Sequence, residues 1–281
     1  MSSLLLLERL SDEDLAVLAE AAGEPAGSAA RLRADPARIG GLIDRPEVFR
    51  ALFESSDRDR FVFATPFLAF SVLLAQSARE LAGASFVEEW TGPGRRLPVF
   101  DVAALRDFVA DQLRRMFLAE LLSSYTHVAS GTMWARSRGR WRRHRFSELD
   151  PVQLARLAEA VPDWDRLAVY RRLGDLALFL TGIFPDHASR WLDQRRAERI
   201  TRALRWPADQ SNGGDGPLLL LESVGRRAYE LAARASDAPQ AVAMVGVVAE
   251  LPARFAQARR VLNFLTDRHL FPMRDRWFPL N

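Results

Sequence analysis

The sequence predicts a mainly α-helical protein, a compact multi-helix bundle with one short arginine-rich β-hairpin around residues 132–146. Three observations lead there. Apolar residues recur at helical spacing through most of the chain, as with Leu105, Phe108, Leu113, Phe117 and Leu121. Helix-opening signals, a capping side chain followed by an acidic residue or a proline, precede these runs. Strand-like alternation is scarce, and its clearest instance is "WARSRGRWRRHRF", Trp134 to Phe146.

Each element follows from its own signal. Ser11 with Asp14 forms a capping box that opens "SDEDLAVLAEAAG", and Gly23 stops it. Asp44 and Pro46 begin "EVFRALFE". Thr65 as N-cap and Pro66 at the first helical position begin the core helix of the uncharged run Phe61 to Ala78. That run contains Thr65, Pro66, Ser71, Gln76 and Ser77, and falls short of the ~20 predominantly apolar residues of a spanning helix. Asp101 opens one long helix, "VAALRDFVADQLRRMFLAELLSSYTHVAS". Asp150 and Pro151 open "VQLARLAEAV". Asp163 or Asp165 opens "RLAVYRRLGDLALFLTGIF", which ends at Pro185. Shorter helical pieces cover "SRWLDQRRAERITRAL". The Gly- and Asp-dense "WPADQSNGGDGP", Trp206 to Pro217, is a loop. "LLLLESVGRRAYELAARA" and two more helices, the last starting near Pro252, complete the chain. One domain, 1–281, is expected, with an internal loop at 206–217.

Composition removes whole classes of chemistry. All 39 basic residues are arginine, against 36 acidic ones, so the net charge is +3. Without lysine there is no Schiff base, no Gly-Lys-Ser/Thr phosphate loop and no kinase phosphate lysine. Without cysteine there is no disulfide, thiol nucleophile or cysteine-ligated metal. "MSSLLLLERLSDEDL" has no positive leader and a Leu run of only four, so no signal peptide is expected and the protein is placed in the cytoplasm.

The arginine stretch is the main functional hint. Arg136, Arg138, Arg140 and Arg142 alternate, which puts them on one side of an extended chain, and Arg143 and Arg145 follow. "SRGR" supplies the turn, and Met133, Trp134, Trp141 and Phe146 supply apolar contacts. The plain reading is the wet face of an edge hairpin, where charge deters aggregation. The functional readings are a phosphate-binding surface, with Trp141 as a stacking face for nucleic acid, or a contact for another anion or an acidic protein.

A second constellation lies in "YRRLGDLALFLTGIFPDH" and "ESVGRRAYE". Gly174 and Gly225 sit inside helical patterns, where glycine costs about 1 kcal/mol relative to alanine. Two helices crossing closely at these glycines would explain both. Asp175 is then expected to pair with Arg226 or Arg227, and Glu222 with Arg171 or Arg172. The alternative is a polar pocket around Tyr170, Asp175, Arg226 and Tyr229. These segments resemble the pattern of an uncharacterised helical family of bacterial proteins over the C-terminal half. The resemblance implies no activity and transfers no catalytic residue.

The four histidines, His127, His144, His187 and His269, make no Glu-x-x-His pair and no zinc helix. Ser123 and His127 are at i,i+4 spacing, which alone assembles neither an oxyanion hole nor an orienting acid. Glu120 and His127 are seven apart and share a helix face, but two ligands do not make a metal site. Glu88 and Glu89 are expected to point apart on a helix at the surface. No catalytic residue, metal or cofactor is therefore expected. The preferred function is a non-catalytic cytoplasmic binding or regulatory protein for a protein partner or an anionic ligand, with no membrane span. The runner-up is nucleic-acid binding through Arg136, Arg138, Arg140, Arg142, Arg143 and Arg145. The third is an enzyme with its pocket between the Gly174 and Gly225 helices.

Overall fold

A computed structural model of the chain describes residues 2–54, 64–92, 94–127, 130–137, 140–191, 194–204, 216–234, 242–271 and 274–278. Helices dominate, as expected, and the described strands form two antiparallel hairpins. The chain groups into two compact units. The first comprises Met1–Val87, Phe100–Thr126 and Asp267–Asn281, and the second Glu88–Val99 and His127–Thr266. The predicted loop at 206–217 lies outside the described residues up to 215.

The first unit holds α1 (Ser2–Arg9), α2 (Asp12–Ala21), α3 (Ser28–Ala34), α4 (Ala37–Ile43), α5 (Pro46–Phe49), α6 (Pro66–Gly83), α7 (Val102–Ala110) and α8 (Gln112–Ser124). The Ser11–Asp14 capping box forms as predicted. Its acid does more than cap. Asp14 is fully buried, and Oδ1 accepts the Thr65 backbone N–H at 2.8 Å while Oδ2 accepts the Thr65 hydroxyl at 2.9 Å. Thr65 in turn caps α6 by accepting from Leu68 N. One carboxylate thus fastens the starts of two helices. Helix α6 is buried continuously from Phe67 to Ala75, which accounts for the absence of charge in that stretch; Arg79 and Glu80 follow in its last turns.

The long helix predicted after Asp101 is two helices. The break falls at Asp111, whose extended backbone lets its side chain accept from Leu113 N and Arg114 N and so start α8 afresh. Helix α8 ends at Ser124, so Ser123 and His127 do not share a helical face, and neither do Glu120 and His127.

The second unit holds β1 (Val87–Gly92, from Glu88 onward), β2 (Arg95–Val99), β3 (Ser130–Ser137), β4 (Arg140–Ser147), α9 (Pro151–Ala160), α10 (Asp163–Ile183), α11 (Pro185–Trp191), α12 (Gln194–Ala203), α13 (Pro217–Arg234) and α14 (Val242–Leu265). Helix α14 is continuous through Pro252 instead of starting there. The β1–β2 hairpin was not anticipated: Glu88 and Glu89 stand on a strand, not a helix. Its signal is the turn at Gly92 and Gly94, the latter at φ +67°, between Val87–Trp90 and Leu97–Val99.

Helix α10 is the centre of this unit and packs on α9, α11, α13 and α14. Its residues from Leu173 to Ile183, and Phe184 just beyond, are all buried. The predicted crossing of the two glycine helices is present. A Cβ on Gly174 would lie 2.8 Å from the Tyr229 ring of α13, and one on Gly225 would meet the Phe255 ring and lie 2.9 Å from Ala177 Cβ of α10. The C-terminal end of α10 leaves carbonyls without helical donors. Asn263 of α14 supplies them, its Nδ2 donating to Thr181 O at 3.1 Å and Gly182 O at 2.7 Å.

The close approach sets the sign of a paired test. Gly225→Ala is expected to destabilise by about 1–3 kcal/mol through overpacking. Gly246→Ala, at an exposed helical position with nothing within 4 Å, is expected to stabilise by about 0.5–1 kcal/mol. Urea unfolding midpoints of the two variants should therefore move in opposite directions.

Candidate functional site

The predicted hairpin forms, over 130–137 and 140–147 in place of 132–146. Its register pairs Thr132 with Arg145, Met133 with His144, Trp134 with Arg143, Ala135 with Arg142 and Arg136 with Trp141. Residues opposite one another share a face of the ribbon. Arg140 and Arg142 therefore fall on one face, and Arg136, Trp141, Arg143 and Arg145 on the other. Arginines predicted on one side are divided because the chain reverses between Ser137 and Arg140. Arg138 lies outside the described residues. Both strands pack against α9, which meets the need of an isolated hairpin for support.

Helix α9 begins at Asp150, which accepts from Val152 N and Gln153 N, with Pro151 at the first helical position. It buries Val152, Leu154, Ala155 and Ala158 and exposes Arg156. Helix α12 packs on the same helix and on α13, burying Ile200 and, just beyond its end, Leu204. Its sequence "QRRAERITRA" carries Arg195, Arg196, Arg199 and Arg202 against a single acid, Glu198. Arg195, Arg199 and Arg202 are exposed and have no ion pair among the described residues. In the sequence this segment is expected only to be helical. The missed signal is spacing: positions 195, 199 and 202 are i, i+4 and i+7, one helical face.

The second constellation is solid. Tyr229 Oη donates to Asp175 Oδ1 at 2.8 Å, with both side chains buried, and Arg171 Nε lies 3.9 Å from Asp175 Oδ2. The ring of Tyr229 occupies the space that Gly174 leaves open. Tyr170 is half-buried on α10. The expected ion pairs across the crossing are replaced by others. Arg226 pairs with Glu222 at 2.6 Å, one turn away on its own helix, and donates to Pro252 O at 3.3 Å. Arg227 pairs with Glu230, also on its own helix, and Arg172 with Glu148. For Arg226 and Arg227 local pairing won because i,i+3 and i,i+4 partners need no help from another helix.

A buried charge ladder was not foreseen. Arg259 of α14 is 4% exposed. Its Nε donates to Glu222 Oε2 at 2.9 Å, Nη1 to Asn263 Oδ1 at 3.4 Å, and Nη2 to Glu89 Oε1. Arg260 Nη2 holds the other Glu89 oxygen at 2.9 Å. The order Arg260, Glu89, Arg259, Glu222, Arg226 alternates in sign and ties β1 to α13 and α14. Glu89, expected at the surface, is an anchor. Trp90 adds a second one, donating from Nε1 to Asp186 at 3.0 Å. Burial pushes the Glu89 carboxyl up, but hydrogen bonds and charge from Arg259 and Arg260 outweigh it and hold the group below its ordinary 4.5. A carboxylate so held is a poor general base near neutral pH.

In the first unit, His269 Nε2 lies 3.3 Å from Glu80 Oε1, and the His269 ring meets Phe49 edge-on. Burial lowers the His269 pKa below its usual value, against the opposing pull of Glu80. A recess lined by Leu6, Gly40, Ile43, Asp44, Gln112 and Arg115 has space for about one water molecule, too little for a substrate. His127 and His187 are exposed, and the side chain of His144 lies outside the described residues. Among the described residues, no three His, Asp or Glu side chains converge as metal ligands.

No family model, curated protein or solved structure matches the chain. No described helix is long and apolar enough to cross a membrane. The functional reading therefore rests on the chain's own geometry.

Two outcomes test the ladder. Arg259→Met leaves Glu89 and Glu222 buried with one guanidinium each and is expected to cost about 3 kcal/mol. The depressed Glu89 carboxyl contributes stability that is present above about pH 4.5 and lost as the pH falls toward its folded value. Acid unfolding of Glu89→Gln should show a shallower loss of stability below pH 4.5 than the parent. An equal slope would remove Glu89 from the acid response.

Proposed function

We propose that the protein is a non-catalytic binding or regulatory protein that holds an anionic ligand or an acidic partner on the arginine-rich surface of its second unit. One observation carries this reading. The β3–β4 ribbon packs on α9, so its five described arginines take paired register positions instead of being spread along a coil. The six arginines of Trp134–Phe146 exceed the net charge of +3 of the whole chain, so the remainder is acidic on balance. Guanidinium forks fit carboxylate and phosphate oxygens in pairs, which favours anion recognition over mere solubility.

The competing pocket reading has less support. The crossing that would line it is filled by the Tyr229 and Phe255 rings, and Asp175 is already bonded to Tyr229. The best-organised carboxylates, Glu89 and Glu222, are neutralised by arginines.

Heparin chromatography tests the proposal. Arg140→Gln with Arg142→Gln, and Arg136→Gln with Arg143→Gln and Arg145→Gln, change opposite faces of the ribbon. One set should elute from heparin at clearly lower salt with unchanged thermal stability. The set on the face against α9 should instead lower the melting temperature. Parental elution and stability in both sets would discard the ribbon as a binding element.

A further inference from the structure

We infer that α12 is the second half of this surface, and that the ligand it fits is the phosphate backbone of a nucleic acid, read without regard to sequence. The inference rests on the anion-binding reading of the ribbon and names the class of ligand. It starts from a contrast in how the chain uses arginine. Among the described residues, arginines are repeatedly matched by carboxylates: Arg9 by Glu120, Arg38 and Arg45 by Glu24, Arg115 by Asp44, Arg172 by Glu148, and Arg259 and Arg260 by Glu89. Arg195, Arg199 and Arg202 depart from that habit. They are exposed, have no ion pair among the described residues, and lie on one face of a ten-residue helix.

The geometry of that row selects the ligand. Seven residues of α-helix rise about 10 Å. One strand of a duplex presents a phosphate about every 3.4 Å along its axis, so about 10 Å of duplex axis carries about three phosphates per strand, as many as the guanidinium groups of the row. The helix is also held rigidly, because Ile200 and Leu204 are buried and α12 rests on both α9 and α13. That docking separates nucleic acid from a lipid surface. A helix that lies on a membrane inserts its apolar face between headgroups, and the apolar face of α12 is already committed to the protein. The ribbon rests on the same helix, α9, whose own Arg156 is exposed.

The test is fluorescence anisotropy of the full chain with labelled duplex DNA and single-stranded RNA of about 20 nucleotides, across a salt series. Polyglutamate and phosphatidylserine vesicles serve as other anionic probes. The parent should bind the oligonucleotides with a steep salt slope. Arg195→Gln/Arg199→Gln/Arg202→Gln should reduce that slope by about 2–3 and weaken binding roughly tenfold or more at low salt. The corresponding triple change to Lys should restore the slope, since a phosphate accepts either cation. The changed residues are exposed, so circular dichroism and melting temperature should stay at parental values. If the Gln variant keeps parental affinity and slope while ribbon variants lose both, α12 is not part of the surface and the ribbon reading stands. If polyglutamate or vesicles bind and the oligonucleotides do not, the nucleic-acid assignment is overturned and anion binding survives. If no probe binds, both proposals fall.

Discussion

The second unit depends on the crossing of α10 and α13. Two glycines remove the side chains that would hold these helices apart, and each vacancy is filled by an aromatic ring from a facing helix, Tyr229 at Gly174 and Phe255 at Gly225. The close approach buries Asp175, a group that is costly in the interior without a partner. The Tyr229 hydroxyl answers it at 2.8 Å. Steric fit and polar satisfaction therefore come from the same residue: Gly174 leaves the space for the Tyr229 ring to lie close against α10, where its hydroxyl reaches Asp175. Helix α9 packs on α10, and the ribbon and α12 pack on α9. The elements of the proposed surface are thus carried on a crossing whose closest contacts are glycine against aromatic rings.

A lysine-free chain uses one cation for two opposed purposes. Buried, the guanidinium spreads its donors over several acceptors, as Arg259 does with Glu89, Glu222 and Asn263. Lysine would have to serve two carboxylates and an amide from a single nitrogen, without the planar spread of a guanidinium's donors. Exposed, as at Arg195, Arg199 and Arg202 of α12, the same group has no ion pair among the described residues. The acids are also distributed unevenly: Trp134–Phe146 contains none, and α12 contains only Glu198. An arginine preference set by coding alone would raise arginine everywhere but would not clear acids from two segments that dock on one helix.

Much of the architecture was legible because its signals are local. Capping side chains at Ser11, Thr65 and Asp150 start helices where the sequence places them, and the glycine crossing followed from the cost of Gly174 and Gly225 in helical interiors. The failures have physical causes. Asp111 reads as one polar residue within a helical pattern, yet its side chain can replace the helix's own hydrogen bonds and restart it. Pro252 reads as a helix start but is carried inside α14. The β1–β2 hairpin is short, and its Glu88 and Glu89 hid an alternation in which one acid is exposed and the next is drawn in by Arg259 and Arg260. The ion pairs at the crossing were assigned between helices because the sequence shows charges but not their distances. Partners one turn away on the same helix captured Arg226 and Arg227 first.

The ribbon illustrates the same limit at the proposed site. Alternation along the chain predicted an extended segment correctly, but a hairpin folds that alternation back on itself. In the observed register Arg136 is opposite Trp141 and Arg142 is opposite Ala135, so the arginines divide between two faces. The register divides the five described arginines two and three between those faces, so the ribbon alone is a narrower site than its sequence suggests. A helix has no such division: Arg195, Arg199 and Arg202 stand on one face while Ile200 is buried on another. The segment with fewer arginines therefore presents its charge more coherently, which makes α12, and not the denser stretch, the better-defined half of the surface.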